Sequence, residues 1–205
     1  MAINATSNSK SFTKETVPSG VHRAICYSMV HIGIIKESYL GEEKEIDKVR
    51  ITWELPDEVR VFKEENGPQP MIVSKEFTLS MHEKATLKKT LEQWRGKTFT
   101  KEEASKFDIT TLVGKPCQLN IVHKTSATGN VYADISGVMP LGKGTAVPEQ
   151  TNHSFIFDYD PFDQSKLDTL PKFLQEKIMS SVQYRNAMEP KENEDVFTND
   201  DKPLF

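Results

Sequence analysis

Residues 46–54 alternate without a break: Val49, Ile51 and Trp53 share one parity, while Lys48, Arg50, Thr52 and Glu54 share the other. A repeat of two belongs to a strand with one buried and one polar face. Shifting the pairing by one residue would turn every side chain to the wrong face, so such a strand admits only one register. The chain must therefore build a sheet with a core on one side.

The neighbouring segments supply partners for that strand. Gly20–Val30 reads as a strand, with Val21, Ile25 and Met29 on the parity that also carries Arg23 and Tyr27. Gly41–Glu45 reads as a charged turn, and Leu55-Pro56-Asp57 as a break before a short strand near Val59–Phe62. Met71–Leu79 is rich in β-branched and aromatic residues and reads as a further strand. The period then changes. Ala85, Leu87, Leu91 and Trp94 fall at helical spacing within His82–Trp94, and Gly96 is a suitable stop. Lys101–Lys106 is a second, short helix. Cys117–Lys124 and Val131–Val138 alternate again around Thr125–Asn130, which predicts a hairpin. Strands, a helix and then a hairpin predict a mainly β fold: a five-stranded OB barrel with its helix between the third and fourth strands.

Composition limits the rest. Hydrophobic residues make up 37% of 205, enough for one core and too little to bury the whole chain. The reading divides the chain into an N-terminal stretch (1–17) expected to be flexible, a barrel (18–141), a linker with an amphipathic helical extension (142–188) and an acidic tail (189–205). In the extension, Leu167, Leu170, Phe173, Leu174, Ile178 and Val182 form an apolar stripe, which suits packing on the barrel or on a second copy. The net charge of −4 is unevenly spread: residues 189–205 carry −4, residues 149–188 carry −2, and residues 1–148 carry +2. Two cysteines, Cys26 and Cys117, offer no disulfide framework, so a reducing cytoplasm is expected. No segment approaches the ~18 apolar residues of a membrane span.

Catalytic patterns are sparse. The five histidines, His22, His31, His82, His123 and His153, form no metal-binding pair, and Cys26 with His31 is the nearest approach to ligand spacing. The sequence contains neither a phosphate-binding glycine loop nor a nucleophile elbow. A non-enzymatic binding protein without cofactor or metal is expected.

Asp200-Asp201-Lys202-Pro203-Leu204-Phe205 resembles the C-terminal tip of bacterial and phage single-stranded DNA-binding proteins, although Lys202 interrupts the acids and Leu204 separates Pro203 from Phe205. The resemblance implies that Asp200, Asp201, Pro203, Leu204 and Phe205 engage replication or recombination proteins. A second resemblance runs through Pro18-Ser19-Gly20, Trp53–Pro56, Trp94–Thr100, Phe107-Asp108, Leu112–Cys117 and Asn120–Lys124. It is to a family of phage and prophage proteins with predicted single-stranded DNA-binding OB folds, and it spans roughly residues 18–140. It implies single-stranded DNA as partner, within a bacterial host cell.

Sequence-tolerant binding needs cations along the phosphates and rings beneath the bases. Lys48 and Arg50, on the polar parity of the second strand, are the leading cations, followed by Arg23, Arg60, Lys63, Lys75 and Lys124. Tyr27, Phe62, Phe77 and Tyr132 are the candidate stacking rings. Among them Phe77 shares the parity of Val73 and Leu79 and so suits the core, as do Trp53 and Trp94. Two other readings are an OB-like module that binds or inhibits a host protein and a recombination mediator that binds DNA weakly.

Overall fold

The computed structural model describes residues 16–39 and 41–189. Residues 1–15 and the tail beyond 189, including Asp200, Asp201, Pro203, Leu204 and Phe205, lie outside the described residues. The fold is mainly β. β1 (Gly20–Tyr39) and β2 (Glu42–Val61) form a long antiparallel pair, followed by β3 (Pro68–Thr78), helices α1 (Thr86–Arg95) and α2 (Lys101–Lys106), and the hairpin β4 (Pro116–Thr125) and β5 (Val131–Met139). After β5 come a short strand β6 (Phe155–Phe157) and helices α3 (Gln164–Thr169), α4 (Lys172–Met179) and α5 (Val182–Met188).

The sheet runs β3-β2-β1-β4-β5, with β6 added parallel to β1. It does not close into the expected five-stranded barrel. β3 and β5 carry no ladder between them. Side chains span that seam instead: Lys75 Nζ donates to the Ile135 carbonyl and lies 3.2 Å from Asp134 Oδ1. Neighbours along the path are all antiparallel, so β1, β3 and β5 run one way and β2 and β4 the other. One end of the sheet thus collects the starts of β1, β3 and β5 with the finishes of β2 and β4.

The alternation of β2 does what its spacing demands. Val49, Ile51, Trp53 and Leu55 enter a core with Leu87, Leu91 and Trp94 of α1 and with Leu119 and Ile121 of β4. Trp53 and Phe77 are buried, and Trp94 is nearly so, its Nε1 donating to the Pro116 carbonyl at 3.1 Å. α1 begins four residues later than its apolar spacing suggests, because His82–Ala85 forms a turn closed by an Ala85 N–His82 O bond of 2.8 Å. α2 keeps its expected bounds, held by a capping box between Thr100 and Glu103.

β1 and β2 both outrun their sequence reading. The Leu55–Asp57 break is a β-bulge that β2 passes through, and Glu42–Glu45 pairs within the ladder. β1 continues past Val30 by a second bulge at Gly33, whose φ of +91° suits glycine. A Cβ there would meet Gln183 Oε1 at 2.7 Å and Ser181 Cβ at 2.9 Å. This extension supplies Val30, Ile32 and Ile35 to a second, smaller core with Phe157, Leu167, Leu174 and Ile178. The apolar stripe of the extension is thus three short helices, divided at Pro171 and at Ser180–Ser181, and it packs on the chain's own sheet.

Candidate nucleic-acid interface

The polar face of β2 was the leading candidate surface, and it is covered. Glu54 is fully buried and accepts from the backbone N–H of Thr151 (2.7 Å) and Asn152 (2.8 Å), and from Asn152 Nδ2. Thr52 is buried beside Ser74, their hydroxyls 2.9 Å apart. Arg50 lies 3.1 Å from Glu76, with its guanidinium over the Phe173 ring at 5.3 Å, and Lys177 of α4 meets the same Glu76 at 2.8 Å. Lys48 is paired with Glu37. Residues from the 149–179 segment, among them Asn152, Phe173 and Lys177, therefore cover much of the polar face of β2.

The remaining candidates divide into two groups. Arg23 forks onto Asp57 through Nε and Nη2 at 2.8 and 2.6 Å and donates Nη1 to the Ala146 carbonyl. That pairing raises the guanidinium's pKa and lowers that of Asp57. Tyr27 is the extra residue of a bulge, half-buried, and burial together with the nearby Glu54 raises its hydroxyl's pKa. Lys75 is committed to the seam. None of these three presents an open contact.

Arg60, Phe62, Lys124 and Tyr132 form the second group. The strand directions bring them to one end of the sheet, with β2 finishing beside the start of β1, where His22 Nδ1 lies 3.2 Å from Glu58. Phe62 is 56% exposed and Tyr132 45%, and Val21, Val61 and Val131 are equally open at that end. Tyr132 pairs across the hairpin with Lys124, whose ammonium meets Asp134. Arg60 Nη1 donates to the Val59 carbonyl at 2.8 Å, and Lys63 stands 3.6 Å from Glu65. This end of the sheet thus leaves several large apolar side chains open to solvent.

No family model, curated protein or solved structure matches the chain.

The opposite end holds what the spacing of residues did not reveal. His31 Nε2 lies 2.8 Å from Asp47 Oδ1 and its Nδ1 2.9 Å from Asp158 Oδ1, so both nitrogens face carboxylates. Burial opposes the charged ring, but the two carboxylates outweigh it and raise its pKa above 6.5. Asp158 is 127 positions away in the chain, so no local motif joins the two. Cys26, the expected neighbour of His31 in ligand spacing, is buried in the main core, where burial lifts its thiol to about 12. No group of three or more His, Cys, Asp or Glu side chains among the described residues is arranged to hold a metal ion. No helix among the described residues is long and apolar enough to cross a membrane.

Proposed function

We propose that the chain is a single-stranded DNA-binding protein of replication or recombination that acts without covalent chemistry. The strand order supports this reading. It is the order of an OB fold opened between its third and fifth strands, with α1 between the third and fourth, and OB folds are often only partly closed. The observation that carries it is that two exposed rings, Phe62 and Tyr132, lie at the same end of the sheet as Arg60, Lys63 and Lys124. Bases stack on the rings for about 1–3 kcal/mol each, and the cations follow the phosphates. DNA thus runs across the open end, while the polar face of β2 serves to dock residues 149–179. The acidic segment ending Asp200-Asp201-Lys202-Pro203-Leu204-Phe205 recruits partner proteins.

A second reading, an OB-like module that binds or inhibits a protein, draws on one observation: Arg23, Lys48, Arg50, Lys75 and Lys124 each already meet a carboxylate. Anisotropy titration with labelled oligo-dT separates the two. DNA binding predicts saturable affinity that falls steeply between about 50 and 200 mM salt as counterions are released. It also predicts a loss of about tenfold in each of Phe62→Ala and Tyr132→Ala, within the range of one stacked base. Absence of binding at low salt, or binding indifferent to both substitutions, would remove the DNA reading.

A further inference from the structure

We propose that the cavity at the end of the sheet remote from Phe62 and Tyr132 binds a small organic cation, a primary ammonium carried on a ring or a short branched carbon body. The cavity encloses about 240 Å³ between β1, β2, β6, α1 and the Phe107–Thr110 segment. Its floor is Met29, Val49, Leu87 and Phe157, each at most 2% exposed. Such a floor gives water no partners and favours a carbon body. The volume is below the roughly 300–1,000 Å³ of sites for drug-sized ligands, which limits the occupant to about one ring.

The mouth sets the charge. Asp108 and Asp158 stand there, and no lysine or arginine lines the cavity. Asp108 uses Oδ1 to accept from Thr110 N at 2.9 Å and Thr110 Oγ1 at 2.7 Å, and Asp158 uses Oδ1 to accept from His31 and from Tyr159 N at 2.8 Å. The Oδ2 atom of each has no partner among the described residues. Each is an acceptor ready for an ammonium, and charge-assisted bonds of this type are about twice as strong as neutral ones. The charged groups facing His31 are Asp47 on β2 and Asp158 after β6, with the Tyr159 ring edge-on at 5.4 Å. Carboxylates thus outnumber the imidazolium, which selects a cation over an anion. As His31 loses its proton, only one of its nitrogens keeps an N–H for Asp47 and Asp158, and the mouth loses a positive charge.

The test uses the full chain with labelled methionine, valine, leucine and isoleucine methyls, titrated with benzylamine, benzyl alcohol and benzoate at matched ionic strength. The site predicts saturable shifts centred on Met29, Val49, Leu87 and Ile156. Benzylamine should bind about tenfold more tightly than the alcohol, the worth of one charge-assisted bond at a half-open mouth, and benzoate most weakly. Its affinity should rise with pH through the His31 titration while the amine remains protonated. Asp108→Asn should weaken the amine severalfold and leave the alcohol unchanged. Met81→Trp, which fills the mouth, should abolish binding of both. Equal affinities for the three probes, unchanged amine binding in Asp108→Asn, or shifts that never saturate would overturn the proposal. None of these results depends on whether the chain binds DNA.

Discussion

The two hydrophobic cores share β1 and are held in unlike ways. The main core is closed by backbone ladders and by α1, and its polar content is small: two buried thiols whose pKa values burial raises, and the Trp53 Nε1, which has no hydrogen-bond partner among the described residues. The second core buries seven residues and is ringed by polar ties. Glu54 holds Thr151 and Asn152, Glu76 holds Lys177, His31 holds Asp158, and the Tyr159 hydroxyl lies 2.8 Å from both the Ile32 carbonyl and Ser181 Oγ. A core fastened by ladders loosens with the sheet. The second core, fastened to β1 by only the three-residue β6 ladder and otherwise by side-chain ties, can release alone as a separate cooperative unit.

Three measurements sharpen or break that contrast. The largest effect belongs to Phe157→Ala. Removing a fully buried ring should destabilise the second core by about 3–5 kcal/mol. Hydrogen exchange should then show residues 155–188 opening while β2 and β4 stay protected. Exchange that rises equally in both regions would mean that the cores are one unit. Glu54→Ala comes next. It leaves the part-buried N–H groups of Thr151 and Asn152 without their acceptor, at about 1 kcal/mol, and amide exchange there should accelerate before that of β6.

The smallest effect is the response to pH. The pKa of His31 is raised in the folded chain, so its contribution is full below its unfolded value near 6.5 and fades as pH rises through the folded value. The urea midpoint of the second core should fall from neutral to mildly alkaline pH, while that of the main core stays level. His31→Leu should flatten the difference. Glu76 has the opposite sign: Lys177 and Arg50 lower its pKa, so its tie weakens in acid, as pH falls through the lowered value.

Much of the main core was legible because its signals are local. The period of two in Val49, Ile51 and Trp53, the helical spacing of Leu87, Leu91 and Trp94 and the hairpin around Gly129 each resolve within a dozen residues. The bulges at Tyr27 and Gly33 were not legible, since an extra residue in a strand imitates its end. The covering of β2 was hidden for a different reason. Lys48, Arg50, Thr52 and Glu54 look solvent-facing, and their covering partners, such as Asn152 and Phe173, lie about a hundred positions onward. Asp158, which follows Phe155–Phe157, meets His31 127 positions earlier, a pairing that no local pattern announces. Among the candidate site residues, Phe62 and Tyr132 are exposed, whereas parity alone could not show which cations are already paired.

The seam spanned by Lys75 has a consequence for self-assembly. Two strand edges are left without a continuous backbone partner, and such edges invite strands of other molecules to add on. A lysine at the edge discourages that, because a foreign strand would have to strip water from its ammonium and break its hold on Ile135 and Asp134. The same group that ties the two margins together thus makes each a poor template, and the protein can keep an unclosed sheet without inviting polymerisation along it.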